Sequence, residues 1–453
     1  MQSRRDQVQA YFFVVGRLVA AVVHGRPDVP QNPNKRLNTG GFLGVIVGAV
    51  LMGIFGIYGV FVPGGNTSWR QPGTIVMNET TGARYVYLDN ELRPVLNYAS
   101  ARLVGGKQSN GQVVAVSESS LSGTPVGQPI GIAGAPDALP TTLGSSPWTV
   151  CTGSSGAVTL LLGRSLPEPL TDRQALLVRG PDQALYLVWQ GKRHRIPGSA
   201  EAEALNYGTV APVPASAAWL NAVPAGADLA AATPPDVGAP GPRIDGHPSV
   251  VGQLYEVRNP ALGTSQLYLV HRDGVVPVNP TTATLLMASP AIAAAYRGDP
   301  VHLVEVAPAA LSGVRATNTG PDLAADLPPQ PPTVVTPSPD AMACAEFSPA
   351  DGMRVTTGIL PVTTDGTPTA AHAAGAAADR VVVPAGGGAL ARSAAGTLYL
   401  VTETGTKYPL ASDDVASALG YAAQSAVAIP GGLLDLLPAG PQLSPDAALR
   451  ASG

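Results

Sequence analysis

The chain has 453 residues, room for two or three domains of ordinary size. Only 13% of it is charged, against roughly 25% in an average soluble domain, and 52 glycines and 45 prolines interrupt it, a mixture that excludes coiled coils and helical bundles. The net charge of −4 excludes a general nucleic-acid binder, because there is no positive excess to displace counterions from phosphates.

Residues 1–40 carry a net charge of +4 and the remainder −8, so the two parts suit different surroundings. Val8, Tyr11, Phe12, Val15, Leu18, Val19 and Val22 recur at helical spacing until Pro27 and Pro30 end the pattern, which predicts a short amphipathic helix. Its apolar stripe has no domain of its own to bury against, so it calls for a partner protein or a membrane surface, the protein being the favoured reading.

Residues 41–62 are 22 in number and uncharged. At about 1.5 Å per residue they span a hydrocarbon core of about 30 Å. This predicts one transmembrane helix. A secretory signal is the competing reading, but its apolar part runs only about 7 to 15 residues close behind a short basic start, whereas 40 residues come first here. Lys35 and Arg36 flank the N-terminal edge and the next charge is Arg70, which by the positive-inside rule leaves 1–40 in the cytosol and exports the rest. Gly44 and Gly48 make a small-xxx-small pair that allows close packing of a second helix, although glycine is common in membrane spans anyway.

Beyond the span one segment recurs four times, around Tyr85, Tyr186, Tyr268 and Tyr399. Each tyrosine stands in a β-prone run that reaches a turn, at Asp89-Asn90, Gln190-Gly191, Asp273-Gly274 or Thr404-Gly405, before a second short strand. A helix cap follows at Asn97, Ser199, Asn279 or Ser412, and Gly105, Gly208, Pro290 and Gly420 close the helices. The second and fourth copies share a tail, Val223-Pro224-Ala225-Gly226 with Leu229 and Leu437-Pro438-Ala439-Gly440 with Leu443. A ββα unit of about 50 residues buries little surface alone, so the copies are expected to pack on each other or on a scaffold.

Surplus chain between copies one and two and between copies three and four holds one cysteine each, Cys151 and Cys344. On the oxidising side of a membrane they are read as a disulfide joining two pieces of a discontinuous domain, with two buried thiols as the alternative. The expected layout is thus a cytosolic segment at 1–40, the transmembrane helix at 41–62, repeats at 63–120, 171–232, 247–310 and 381–445, and central-domain parts at 121–170 and 341–380. A Pro-rich, semi-rigid linker is expected at 321–340, and 224–248 also reads as a connector. The residues read as a single-pass membrane protein with an exported α+β part made of four degenerate ββα-type repeats and a discontinuous β-rich central domain.

Signatures of chemistry are missing from the sequence. The four lysines, Lys35, Lys107, Lys192 and Lys407, stand in no Walker A motif, and neither G-x-S-x-G, H-E-x-x-H nor C-x-x-C occurs. Catalytic, cofactor and metal residues are therefore not expected. Gly386-Gly387-Gly388 reads as a turn, and Lys192-Arg193-His194-Arg195 as the solvated face of a strand in preference to a site for an anionic polymer.

Taken together, the stretches 5–13 (RDQVQAYFF) with Arg17, the anchor, 94–103 (PVLNYASARL), 131–140 (GIAGAPDALP) and LYLVTETGTKYPL with LLDLLPAGPQL near the C-terminus resemble the EccB family of the ESX (type VII) secretion machinery of mycobacteria and related actinobacteria. The resemblance implies a periplasmic part of four repeats around a disulfide-crossed centre. It also implies assembly with other ESX core subunits, including the FtsK-like motor ATPase, into a multimeric inner-membrane complex, with homo-oligomers through the periplasmic part. Two alternatives accompany it: an exported ATPase, an activity described for the family, and a peptidoglycan-binding anchor.

Overall fold

A computed structural model describes residues 4–25, 34–61, 67–106, 111–144, 146–165, 168–230, 232–316, 326–358, 367–368 and 377–451. Pro27, Pro30, Val62, Lys107, His372 and residues 321–325 of the expected linker lie outside the described residues.

The chain divides into two units, the first being Met1–Arg70, Met77–Ala83 and Ala115–Thr124. It carries helices α1 (Arg4–His24) and α2 (Asn34–Phe61). On α1 the stripe residues Val8, Tyr11, Phe12, Leu18 and Val22 are exposed, but so are Phe13 and Val14, so apolar side chains extend beyond a single stripe. The helix α2 begins at Asn34, ahead of the expected start at Gly41. Its stretch Asn38–Tyr58 is long and apolar enough to cross a membrane, the one such stretch among the described residues. Elsewhere in this unit the buried Trp69 donates its Nε1–H to Ser120 Oγ at 3.1 Å, and Asn78 Oδ1 accepts the N–H groups of Thr80 and Thr81, closing a turn with its own side chain.

The second unit, Gln71–Val76, Arg84–Val114 and Pro125–Gly453, is a set of sheets with short helices. The four tyrosines lie in antiparallel hairpins: Arg84–Leu88 with Glu91–Pro94, Leu185–Trp189 with Lys192–Ile196, Thr264–His271 with Gly274–Val278, and Leu398–Val401 with Lys407–Pro409. The first two turn through a pair of residues with positive φ, 48° and 64° at Asp89-Asn90 and 45° and 74° at Gln190-Gly191, the twist that two-residue hairpin loops require. The third turn is Arg272-Asp273, one residue earlier than expected, because Gly274 already pairs with His271. In the fourth, Val401 pairs with Lys407, so Thr404 and Gly405 belong to a longer loop in which Gly405 takes φ 73°.

Each hairpin belongs to a larger sheet with two strands that alternation did not announce. Gln174–Arg179 pairs antiparallel with Leu185–Trp189 and parallel with Val213–Pro214. Leu254–Asn259 stands likewise between the third hairpin and Leu303–Val306, and Gly387–Arg392 between the fourth and Val427–Ala428. The first sheet has the same strand order, with Ile75–Asn78 and Val113–Val116 in those places.

Helices follow three of the four hairpins where capping chemistry puts them. Asn97 and Asn279 accept the N–H groups of Ser100 and Thr282, and Ser412 stands at the cap position with no side-chain bond. In the second sheet Gly198 is the cap and Ser199 is already helical, a one-residue correction. Gly420 ends Asp413–Leu419 in the left-handed conformation and Pro290 lies just past Pro280–Ala288. Gly105, however, is the last helical residue before Gly106, and in the second sheet Asn206 rather than Gly208 takes the positive φ after Ser199–Ala204.

The shared tail lies along the outer strand of its hairpin. Gly226 N–H donates to Arg193 O and Leu229 N–H to Arg195 O; Gly440 N–H donates to Lys407 O and Leu443 N–H to Pro409 O. The first sheet repeats this with Gly127 N–H to Leu92 O and Ile130 N–H to Pro94 O, its tail entering through Pro125-Val126-Gly127. Such tails occupy backbone groups that an open sheet edge leaves unpaired. Residues 223–229 are therefore a docked strap rather than a connector, and 240–250 form a hairpin of their own, Pro240–Ile244 with His247–Val250.

Both cysteine-bearing pieces join one seven-stranded sheet. Trp148–Thr152 pairs antiparallel with Met342–Ser348, and the two are flanked by Val158–Leu162 and Gly352–Gly358. Cys151 and Cys344 face each other across the central pair with Cα atoms 4.1 Å apart and their sulfurs bonded at 2.06 Å. One continuous apolar core runs from this sheet into the second and fourth sheets, through Trp148, Val150 and Leu160 to Leu176, Val188 and Trp219 on one side and Ala391, Val401 and Leu433 on the other.

The two halves of this unit correspond. Thr142–Leu143, ahead of the first central strand, pairs parallel with Gly387–Arg392, and Thr333–Val334, ahead of the second, pairs parallel with Gln174–Arg179. The part of the Pro-rich stretch from 326 onward is docked by this pairing, by Tyr207 Oη–H to Pro332 O at 2.8 Å and by the Lys192–Asp326 ion pair. Close packing at the centre also fixes Gly191. A Cβ there falls 1.9 Å from Met353 O, at a φ that side chains rarely adopt. Gly191→Ala should cost about 1–3 kcal/mol from overpacking, with a further ~1–2 from the left-handed backbone, read as a lower urea midpoint; an unchanged midpoint means that the turn relaxes away from Met353.

Candidate functional site

Three places carry side chains that a packed scaffold alone does not explain. The first is the disulfide face of the central sheet. Alternation along Met342–Ser348 puts Cys344 and Glu346 on one side and Ala343 and Ala345 on the other. Cys151, Cys344, Thr149 and Glu346 are all buried. Glu346 Oε1 accepts from Arg354 Nη2 at 2.8 Å, so the buried carboxylate has a half-exposed cation as partner, as a charge taken out of water needs. Burial keeps the disulfide from reductants, which fits a structural bond rather than an exchanging one.

His194 is the second. The basic run is not a solvated face: Leu187 opposite His194 belongs to the core behind the second sheet, so strand alternation turns the imidazole inward, where it is fully buried. Its Nδ1 lies 2.8 Å from Ala227 O, and burial lowers its pKa, outweighing the carbonyl that favours the charged form. Arg193 points the other way, donating Nε–H to Val223 O at 3.0 Å and lying over the Tyr186 ring, while Lys192 Nζ pairs with Asp326 at 3.0 Å. The other described lysine side chain, Lys407, donates to Leu434 O and pairs with Asp435. Desolvation lowers its pKa as well.

The third is α2. Gly44 and Gly48 lie one turn apart on it, and a Cβ at either position meets nothing within 4 Å, so that face is open to a second helix. Among the described residues no three histidine, cysteine or acidic side chains come close enough to hold a metal ion. A cavity of about 590 Å³ beside the central sheet has a lining about equally polar and apolar, with Arg164, Glu403 and Thr404 beside Leu162, Val382 and Val383, and Glu403 is already engaged by Gly386 N–H. Of Gly386-Gly387-Gly388, read as a turn, only Gly386 lies in one; Gly387 and Gly388 already belong to the strand Gly387–Arg392 of the fourth sheet and pair with Thr142 and Leu143.

Comparison with known proteins bears on the chain as a whole. Residues 1–453 match the family described as type VII secretion system ESX-1, transport TM domain B. The ESX-3 secretion system ATPase EccB3 of Mycolicibacterium smegmatis is 32% identical over 99% of this chain and 90% of its own length. The ESX-2 secretion system ATPase EccB2 of Mycobacterium tuberculosis is 29% identical over 99% of this chain and 95% of its own. Among solved structures, a chain of an intact ESX-5 inner membrane complex superposes with a TM-score of 0.70 at 25% identity, covering 100% of this chain and 96% of that one. The EccB3 dimer from the ESX-3 core complex gives 0.69 at 28% identity over 83% of this chain and 100% of that one. A membrane-length helix, the one such among the described residues, ahead of a β-rich, disulfide-crossed body, matched end to end in sequence, makes this chain a member of the EccB family of type VII secretion proteins.

Proposed function

We propose that this chain is a structural core subunit of an ESX inner-membrane complex, in which it scaffolds the export machine and catalyses nothing itself. In this reading α1 and the basic start lie in the cytosol, where the exposed apolar side chains of α1 meet the motor ATPase or neighbouring subunits; α2 crosses the membrane; and the second unit is periplasmic. Its four sheets are four degenerate repeats, the first extending to the tail at Ile130, arranged around the central sheet, and Gly44 and Gly48 pack α2 against another membrane helix. The observation that carries the reading is the full-length likeness to a subunit of an intact ESX-5 inner membrane complex. Tagged chain extracted in mild detergent is expected to migrate with other ESX core subunits in one large assembly, and cysteines placed at Gln2 and Ser452 should be labelled from opposite sides of the membrane; a free monomer, or labelling from one side, overturns it.

The relatives' names carry a second reading, ATP turnover. It predicts hydrolysis by the purified full chain above a heat-inactivated control, whereas the scaffold reading predicts none. Retention on insoluble peptidoglycan tests the third, a wall anchor.

A further inference from the structure

His194 and Tyr408 hold corresponding places in the second and fourth sheets. Each follows the residue that pairs with the tail, Arg193 with Ala225 and Lys407 with Ala439, and each ring lies against a tail glycine. A Cβ at Gly226 falls 2.4 Å from the His194 ring, and one at Gly440 falls 2.2 Å from that of Tyr408. What differs is the chemistry of the ring. The contact of Nδ1 with Ala227 O puts the imidazole hydrogen on Nδ1, so Nε2 presents a lone pair, and it has no hydrogen-bond partner among the described residues.

We propose that His194 is an acid-sensitive latch on the tail 223–229: the neutral imidazole holds the tail on the second sheet, and protonation at Nε2 releases it, while Tyr408 keeps the fourth-sheet tail closed over the same pH range. Protonation gives Nε2 a hydrogen with no acceptor and puts a charge beside Leu187 and Leu229 in the core. The charged groups facing the ring from packed elements are Asp228 on the tail and Asp326 on the 326–334 strap, which favour the charged form, and Lys192 on its own strand, which opposes it. Burial outweighs them, so the closed state binds the proton less readily than the open one. The sign follows. The latch is at full strength above about pH 6.5, the ordinary histidine value, and weakens as pH falls below it. Its opening constant rises by up to about tenfold per pH unit until the depressed pKa of the closed state is passed. The phenol of Tyr408, pushed upward by burial, does not titrate in this window.

The test is hydrogen exchange on the full chain in detergent, corrected for intrinsic rates, at about pH 7.5 and about pH 5. Protection of the Gly226 and Leu229 amides should fall at the lower pH, by at most the roughly thirtyfold that linkage from the ordinary histidine value allows, while that of Gly440 and Leu443, which make the equivalent bonds, stays constant. His194→Tyr, which copies the fourth sheet, and His194→Gln, neutral at both pH values, should each abolish the difference. Constant protection at Gly226 and Leu229 in the unaltered chain overturns the proposal, as does equal loss in both tails or a pH response that survives in either variant. The wild-type comparison decides the matter even if neither variant folds.

Discussion

Replacing both Cys151 and Cys344 with alanine is expected to lower the stability of the second unit by up to about 5 kcal/mol, because the bond closes a loop of 193 residues and the entropy of the unfolded chain rises when it is removed. That figure is the ceiling of the loop-entropy relation. The two strands keep their pairing in the variant, through Ala343 with Thr152 and Ala345 with Val150, and alanine leaves no lone thiol behind. The loss should be felt at the centre first. The first and fourth sheets share a core of their own, Ala99 and Leu103 with Leu400 and Tyr408, as do the second and third around Leu177, Leu205 and Leu285. In urea, fluorescence of Trp148 and Trp219, both in the central core, should report an earlier midpoint than backbone circular dichroism. A midpoint equal to that of the oxidised chain would show that strand pairing alone specifies the junction.

Much of this arrangement is legible in the residues themselves. A hairpin needs alternation and a turn that tolerates positive φ, and Asp89-Asn90 and Gln190-Gly191 supply both locally. The strands beside the hairpins escape such a reading for two reasons. Gln174–Arg179 is covered on both faces, by the central core and by the core behind the second sheet, so Ala-Leu-Leu-Val shows no alternation; Val213–Pro214 and Val427–Ala428 are two residues long and carry no periodicity. Inward and outward faces of a strand are set by what lies opposite, which is why Lys192-Arg193-His194-Arg195 reads as solvated until Leu187 is seen across from His194. Composition misleads at the Pro-rich stretch too. Proline favours extended chain, but Leu327 and Val334 pack on the second sheet's core, so that extended chain docks.

The two cysteines also mark where the halves of the second unit exchange material. The link ahead of Cys151 adds a strand to the fourth sheet and the link ahead of Cys344 adds one to the second. Helix Ala217–Ala222 meets helix Gly431–Leu434 so closely that a Cβ on Gly432 falls 2.1 Å from Asn221 O. Neither half can therefore be removed without stripping a strand from the other. A subunit built to hold neighbours in place gains rigidity from such exchange, since loosening one sheet disturbs both halves.

Trp219→Ala is the single substitution expected to damage this junction most. The side chain is fully buried in the core that runs from the central sheet into the second and fourth. Its helix is capped by Ser216, whose Oγ accepts the Trp219 N–H, and its indole Nε1–H reaches across to Val150 O at 3.2 Å, on the strand that carries Cys151. Truncation removes the ring from a core with little room to collapse, at a cost of about 3–5 kcal/mol. Trp219→Phe keeps most of the ring's bulk and forfeits the hydrogen bond to Val150 O, worth about 0.5–1.5 kcal/mol, along with some packing. Urea midpoints should therefore fall in the order wild type, phenylalanine, alanine. If the two variants lose equally, the bond to Val150 O rather than the filling of the core holds the second sheet to the centre; if neither moves, the second sheet is held by its strap and its tail, and the shared core is not the joint.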